Sequence, residues 1–102
     1  MGTCIMKLDG RYLEWSTISD APVTELMTLE EFETHYRYQY GQEGMDGLPR
    51  RMKRVEDRGN SFFGGMTNDD IIRHNRAGEG ETKLTREEII EQYGGENETQ
   101  DS

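Results

Sequence analysis

A chain of 102 residues with 31% apolar residues and a mean hydropathy of −0.99 has room for one small core. Its formal net charge of −9, from 21 acids against 12 bases, argues against non-specific nucleic-acid or anionic-membrane binding, because phosphate contacts depend on Lys and Arg. One cysteine excludes an internal disulfide, and a core this thin implies an oligomer, a completing partner or ligand, or a part that stays disordered.

The first elements read as a hairpin. Residues 4–8 and 11–17 are joined by Asp9-Gly10, a favoured pair for a two-residue turn. If Leu8 faces Arg11, then Met6 pairs with Leu13 and Cys4 with Trp15, and these six positions share one face. Ile5, Lys7, Tyr12 and Glu14 fall on the other, a mixture suited to water or another subunit. Pro22 bars a central strand at its own position, leaving room for a short edge strand around Val23.

Residues 28–40 make the clearest helix. Thr28 and Glu31 have the spacing of a capping box, Met27 and Phe32 that of a hydrophobic staple, and Gly41 suits the residue that ends the helix. Leu29, Phe32, Tyr36 and Tyr40 form one aromatic-rich stripe, expected to cover the hairpin face with Met6, Leu13 and Trp15, whereas Tyr38 points away from it. Residues 42–47 read as a loop. A short helix follows over 48–58, with Pro49 near its start, Gly59 at its end, and Leu48, Met52 and Val55 as its buried stripe. Residues 60–65 form a glycine-rich connector containing Phe62 and Phe63. The Thr28 pattern returns at Thr67/Asp70 and Thr85/Glu88, predicting helices at about 68–75 and 86–93 with a loop over 75–82 between them. The expected fold class is α+β: an N-terminal antiparallel hairpin packed by a long amphipathic helix and two or three short ones. Residues 1–93 form a single domain and 94–102 a disordered acidic tail.

The most unusual chemistry is basic. Arg50, Arg51, Lys53, Arg54 and Arg58 put five of the 12 bases within nine residues of an acidic chain. The segment is either a solvated helix face neutralised by Glu56 and Asp57 or an anion site, since arginine forks bind phosphate and carboxylate bidentately. On the second reading Arg50, Arg54 and Arg58 contact the anion, Asn60 and Arg76 add donors, and Tyr38 or Trp15 offers a stacking face. Gly78-Glu79-Gly80 lacks the spacing of a nucleotide-binding glycine loop. His35, His74 and Cys4 fall short of a structural zinc set, so neither metal nor cofactor is implied.

Residues 12–24, the helix of 28–40 and Asn75-Arg76-Ala77-Gly78 together give a chain that resembles small uncharacterised accessory proteins of bacteriophage genomes. The resemblance implies a protein that acts by binding, by blocking a host defence protein or sequestering a nucleotide signal. The leading expectation is therefore a non-catalytic binding protein that captures an anionic small ligand such as a nucleotide. The alternative is an acidic inhibitor occupying a basic, nucleic-acid-binding site on a host protein through Asp69, Asp70, Glu87 and Glu88. An enzyme ranks third, because no paired carboxylates, triad or metal set stands out. The N-terminus has no signal-peptide order and no apolar run is long enough to span a bilayer. The chain is accordingly expected in the cytoplasm, as a homo-oligomer, with neither nucleic acid nor membrane as a direct partner.

Overall fold

The computed structural model describes residues 2–62 and 64–94. Its centre is an antiparallel sheet ordered β1 (Thr3–Leu8), β2 (Arg11–Ser16), β3 (Ala21–Pro22). The turn places Asp9 and Gly10 at φ 54° and 75°, the two left-handed positions of a type I′ connection. The register pairs Leu8 with Arg11, Met6 with Leu13 and Cys4 with Trp15, as the alternation requires. The edge strand forms slightly before Val23, with Pro22 opposite Trp15; its missing N–H faces no partner strand there, consistent with an edge position.

Both outer edges of the hairpin are occupied. Beside β1, Lys7 N–H donates to the Gly59 carbonyl at 2.8 Å and Ser61 N–H to that of Ile5 at 2.9 Å. Beside β2, Tyr12 and Met27 exchange two backbone bonds of 2.8 Å each, and Val23 N–H donates to the Glu14 carbonyl at 2.9 Å. Pairing the edges satisfies backbone groups that would otherwise template aggregation.

Helix α1 spans Leu29–Arg58 and is broken at Gly41, whose φ of 68° and ψ of −163° are accessible to glycine because it has no Cβ. Its first half begins in a full capping box, with Thr28 Oγ1 accepting from Glu31 N–H at 3.2 Å and Glu31 Oε1 from Thr28 N–H at 2.9 Å. The expected loop at 42–47 is instead helical. Gln42 donates to Asp46 one turn on at 2.9 Å, and Met45 joins Leu48, Met52 and Val55 in one stripe against the sheet. That burial extends the helix upstream of Pro49, although an interior proline forfeits one backbone bond and typically costs about 3 kcal/mol. Gly59 closes the helix at φ 93°, its N–H bonded to the Val55 carbonyl.

The other helices, α2 (Asn68–Arg73) and α3 (Arg86–Tyr93), also start in capping boxes. Asp70, one methylene shorter than glutamate, reaches Thr67 N–H at only 3.4 Å, whereas Glu88 reaches Thr85 N–H at 2.8 Å. Between them Glu79–Glu81 forms one 3₁₀ turn within the expected loop. Asn75 is fully buried and braces this segment, with its amide group donating to the Ile72 and Leu84 carbonyls and its carbonyl accepting from Ala77 and Leu84 N–H.

The layers differ from expectation in one respect that positions the site. Phe32 and Tyr36 of α1 pack on Ile5 and Tyr12, the mixed face of the hairpin. The face with Cys4, Met6, Leu8, Leu13 and Trp15 is covered instead by Leu26, Ile71, Ile72 and Ile89. Aliphatic residues of the two short helices close the more apolar face, and the tyrosine-rich helix takes the face where hydroxyls find partners. Leu29, expected on the same stripe, remains 43% exposed. Phe62 packs against the isoleucine side, while Phe63 lies outside the described residues. So does the expected acidic tail from residue 95 onward; Gly94 is described, and its carbonyl accepts from Arg11 at 2.5 Å.

Candidate functional site

At the centre of the interface between α1 and the sheet stands a buried carboxylate. Glu14, on β2, lies on the face expected to meet water or another subunit; with α1 packed over that face it is 4% exposed. Oε2 accepts from the Tyr40 hydroxyl at 2.6 Å and Oε1 lies 3.0 Å from His35 Nε2. Both partners come from the first half of α1.

The carboxylate borders a cleft of about 240 Å³, also lined by Ile5, Tyr36, Tyr40, Glu43 and Arg51. Gly44 shapes its wall, since a Cβ there would come within 2.3 Å of Tyr40 Cβ. The Tyr36 and Tyr40 rings are 4.5 Å apart between centroids and inclined at 51°. Arg51 lies close enough to Tyr36 for its charge to act on the tyrosine hydroxyl. It has no ion-pair partner within 4.0 Å among the described residues.

Burial first, and the bond to Glu14 second, push the Tyr40 hydroxyl up to about 12. Tyr36 is also raised, chiefly by burial, against a lowering influence from Arg51. The Cys4 thiol is pushed up to about 11 by burial and then by the Glu14 charge, so it is protonated at neutral pH. Among the described residues no group of three or more His, Cys, Asp and Glu side chains is placed to hold a metal ion.

The residues singled out in the sequence are dispersed by the fold. Arg54, Arg58 and Asn60 come together, but around the chain that lies beside β1. Arg54 Nε donates to the Ser61 carbonyl at 3.1 Å, Arg58 donates to the Phe62 carbonyl, and the Asn60 side chain accepts from Phe62 N–H at 3.0 Å. Asn60 is itself fully buried, and its amide also donates to the Met66 carbonyl and the Asn68 side chain. Arg76 is elsewhere, with Asp20 at 3.4 Å, Glu81 at 3.6 Å and the Ile18 carbonyl at 3.3 Å. Arg50 is exposed, and Tyr38, 89% exposed, stands beside His35, Thr34 and Glu30 on the outer side of α1. Trp15 is 0% exposed and offers no stacking face, because α2 and α3 close over its side of the sheet.

The cleft residues had a signal in the sequence. Arg51 is three residues after Leu48 and four before Val55, which places it on the buried stripe rather than the Arg50, Arg54, Arg58 stripe. Glu14 shares strand parity with Tyr12, so any helix covering Tyr12 also covers a carboxylate. No known protein family, curated protein or solved structure matches the chain.

Proposed function

We propose that this chain is a non-catalytic binding protein, phage-encoded and acting in the host cytoplasm, that sequesters a small anionic ligand in the cleft between α1 and the sheet. The reading rests on Arg51, a half-buried residue that lines the cleft with Tyr36 and has no ion-pair partner within 4.0 Å among the described residues. Arginine in that state is a bidentate receptor for carboxylate or phosphate. It also keeps the basic segment in the role its composition suggests, through a residue different from Arg50, Arg54 and Arg58.

The size of the site narrows the ligand. Its volume of about 240 Å³ is below the ~300 Å³ at which ordinary small-molecule pockets begin. A compact carboxylate or phosphate fits whole, and a nucleotide signal would insert its phosphate and leave the base outside. The competing inhibitor reading has less behind it, since several of its acids are already engaged. Asp70 lies 3.4 Å from Arg73, Asp69 3.1 Å from Arg86, and Glu88 caps α3.

Native mass spectrometry of the full chain with inorganic phosphate, small carboxylic acids, and linear and cyclic nucleotides tests the reading. Discrete adducts are expected that vanish in Arg51→Gln and persist in Arg50→Gln, a substitution on the exposed side of the same helix. Bare protein across the panel would transfer the assignment to the inhibitor reading and make host-protein capture the next experiment, and adducts indifferent to Arg51→Gln would overturn the assignment of the cleft.

A further inference from the structure

Resting on that assignment of the cleft, we infer that its ligand is a small zwitterion of amino-acid size, with its anionic group on Arg51 and its ammonium group on Glu14. The first reason is charge. The cleft is lined by two carboxylates, Glu14 and Glu43, against one guanidinium, Arg51. A simple anion entering it gains one favourable contact and meets two repulsive charges, only one of which has a histidine within 4.0 Å. A zwitterion offers both sides of the site an opposite charge.

The second reason is unused hydrogen-bonding capacity. A carboxylate accepts at about four lone-pair sites. Among the described residues His35 and Tyr40 each take one at Glu14, one on each oxygen. Burying a carboxylate is costly, and an apolar side chain of similar size often serves stability as well or better. The spare acceptor sites border an open cleft, where an ammonium with three donors can use them. The third reason is the wall. Tyr36 and Tyr40 line the same cleft, and an aromatic face turned to it attracts a cation and repels an anion.

The test is titration calorimetry of the full chain against the common L-amino acids, followed, for each that binds, by its des-amino acid and its decarboxylated amine. At least one amino acid is expected to bind, with both half-molecules at least tenfold weaker. Glu43→Gln, at an exposed position on the rim, and Glu14→Gln are expected to weaken the amino acid but leave the des-amino acid unchanged or improved. Circular dichroism confirms that each variant is folded. A des-amino acid that binds as well as its parent overturns the zwitterion while leaving anion capture at Arg51 standing. Amino-acid binding that survives Arg51→Gln undiminished overturns both, and no binding by any amino acid overturns the zwitterion alone.

Discussion

The two faces of the sheet solve the same burial problem with different chemistry. On one, Met6, Leu8, Leu13 and Trp15 meet isoleucines from α2 and α3, and the gain is plain removal of apolar surface from water. On the other, Phe32, Tyr36, Leu48 and Val55 of α1 pack around Ile5 and Tyr12 but also enclose Glu14, which survives burial through His35 and Tyr40. A purely apolar pairing would have served stability better, because the desolvation of a carboxylate amounts to several kcal/mol before its partners compensate. The face that departs from the best packing solution is the one that borders the cleft. Tyr36 and Tyr40, whose ionisation burial resists, line that cleft too, and perturbed groups in a cleft mark a candidate site.

Truncation at the centre of the apolar face should have the largest effect. Trp15→Ala is expected to cost about 3–5 kcal/mol in urea unfolding, enough to unfold much of a domain this small. A loss below ~1 kcal/mol would mean that α2 and α3 contribute little to the fold.

The polar face should respond less to its own central change. Tyr40→Phe keeps the ring packed and removes one donor from a buried carboxylate, for an expected loss of about 1–3 kcal/mol. If the loss is nil, water replaces the hydroxyl and Glu14 is better solvated than its burial implies.

The subtlest difference is an alkaline one, because each face holds a group whose ionisation is resisted by folding. Cys4 is raised from 9.0 to about 11 and Tyr40 from 10.0 to about 12, so the folded state retains protons that the unfolded chain releases. Stability is complete below pH 9 and falls as pH rises, between about 9 and 11 through Cys4 and between about 10 and 12 through Tyr40. In thermal melts from pH 8 to 12, Cys4→Ala is expected to hold its plateau about one pH unit further, and Tyr40→Phe to lose less above pH 10. A plateau in Cys4→Ala that ends where the parent's does would place the thiol in contact with water.

The three threonine caps, the Asp9-Gly10 turn, the register of Cys4 with Trp15 and the stop at Gly59 each depend on residues close in the chain or on strict two-residue alternation. The sequence by itself therefore determined the α+β class, the hairpin and the three threonine-capped helix starts. Which side of the hairpin α1 covers, the helical state of 42–47, the burial of Glu14 and the gathering of Arg51, Tyr36 and Tyr40 into one cleft were decided only in the tertiary structure. Those outcomes depend on which of two half-suitable faces buries which side chains. Residues far apart in the chain settle that choice together, through packing and desolvation that no local spacing records.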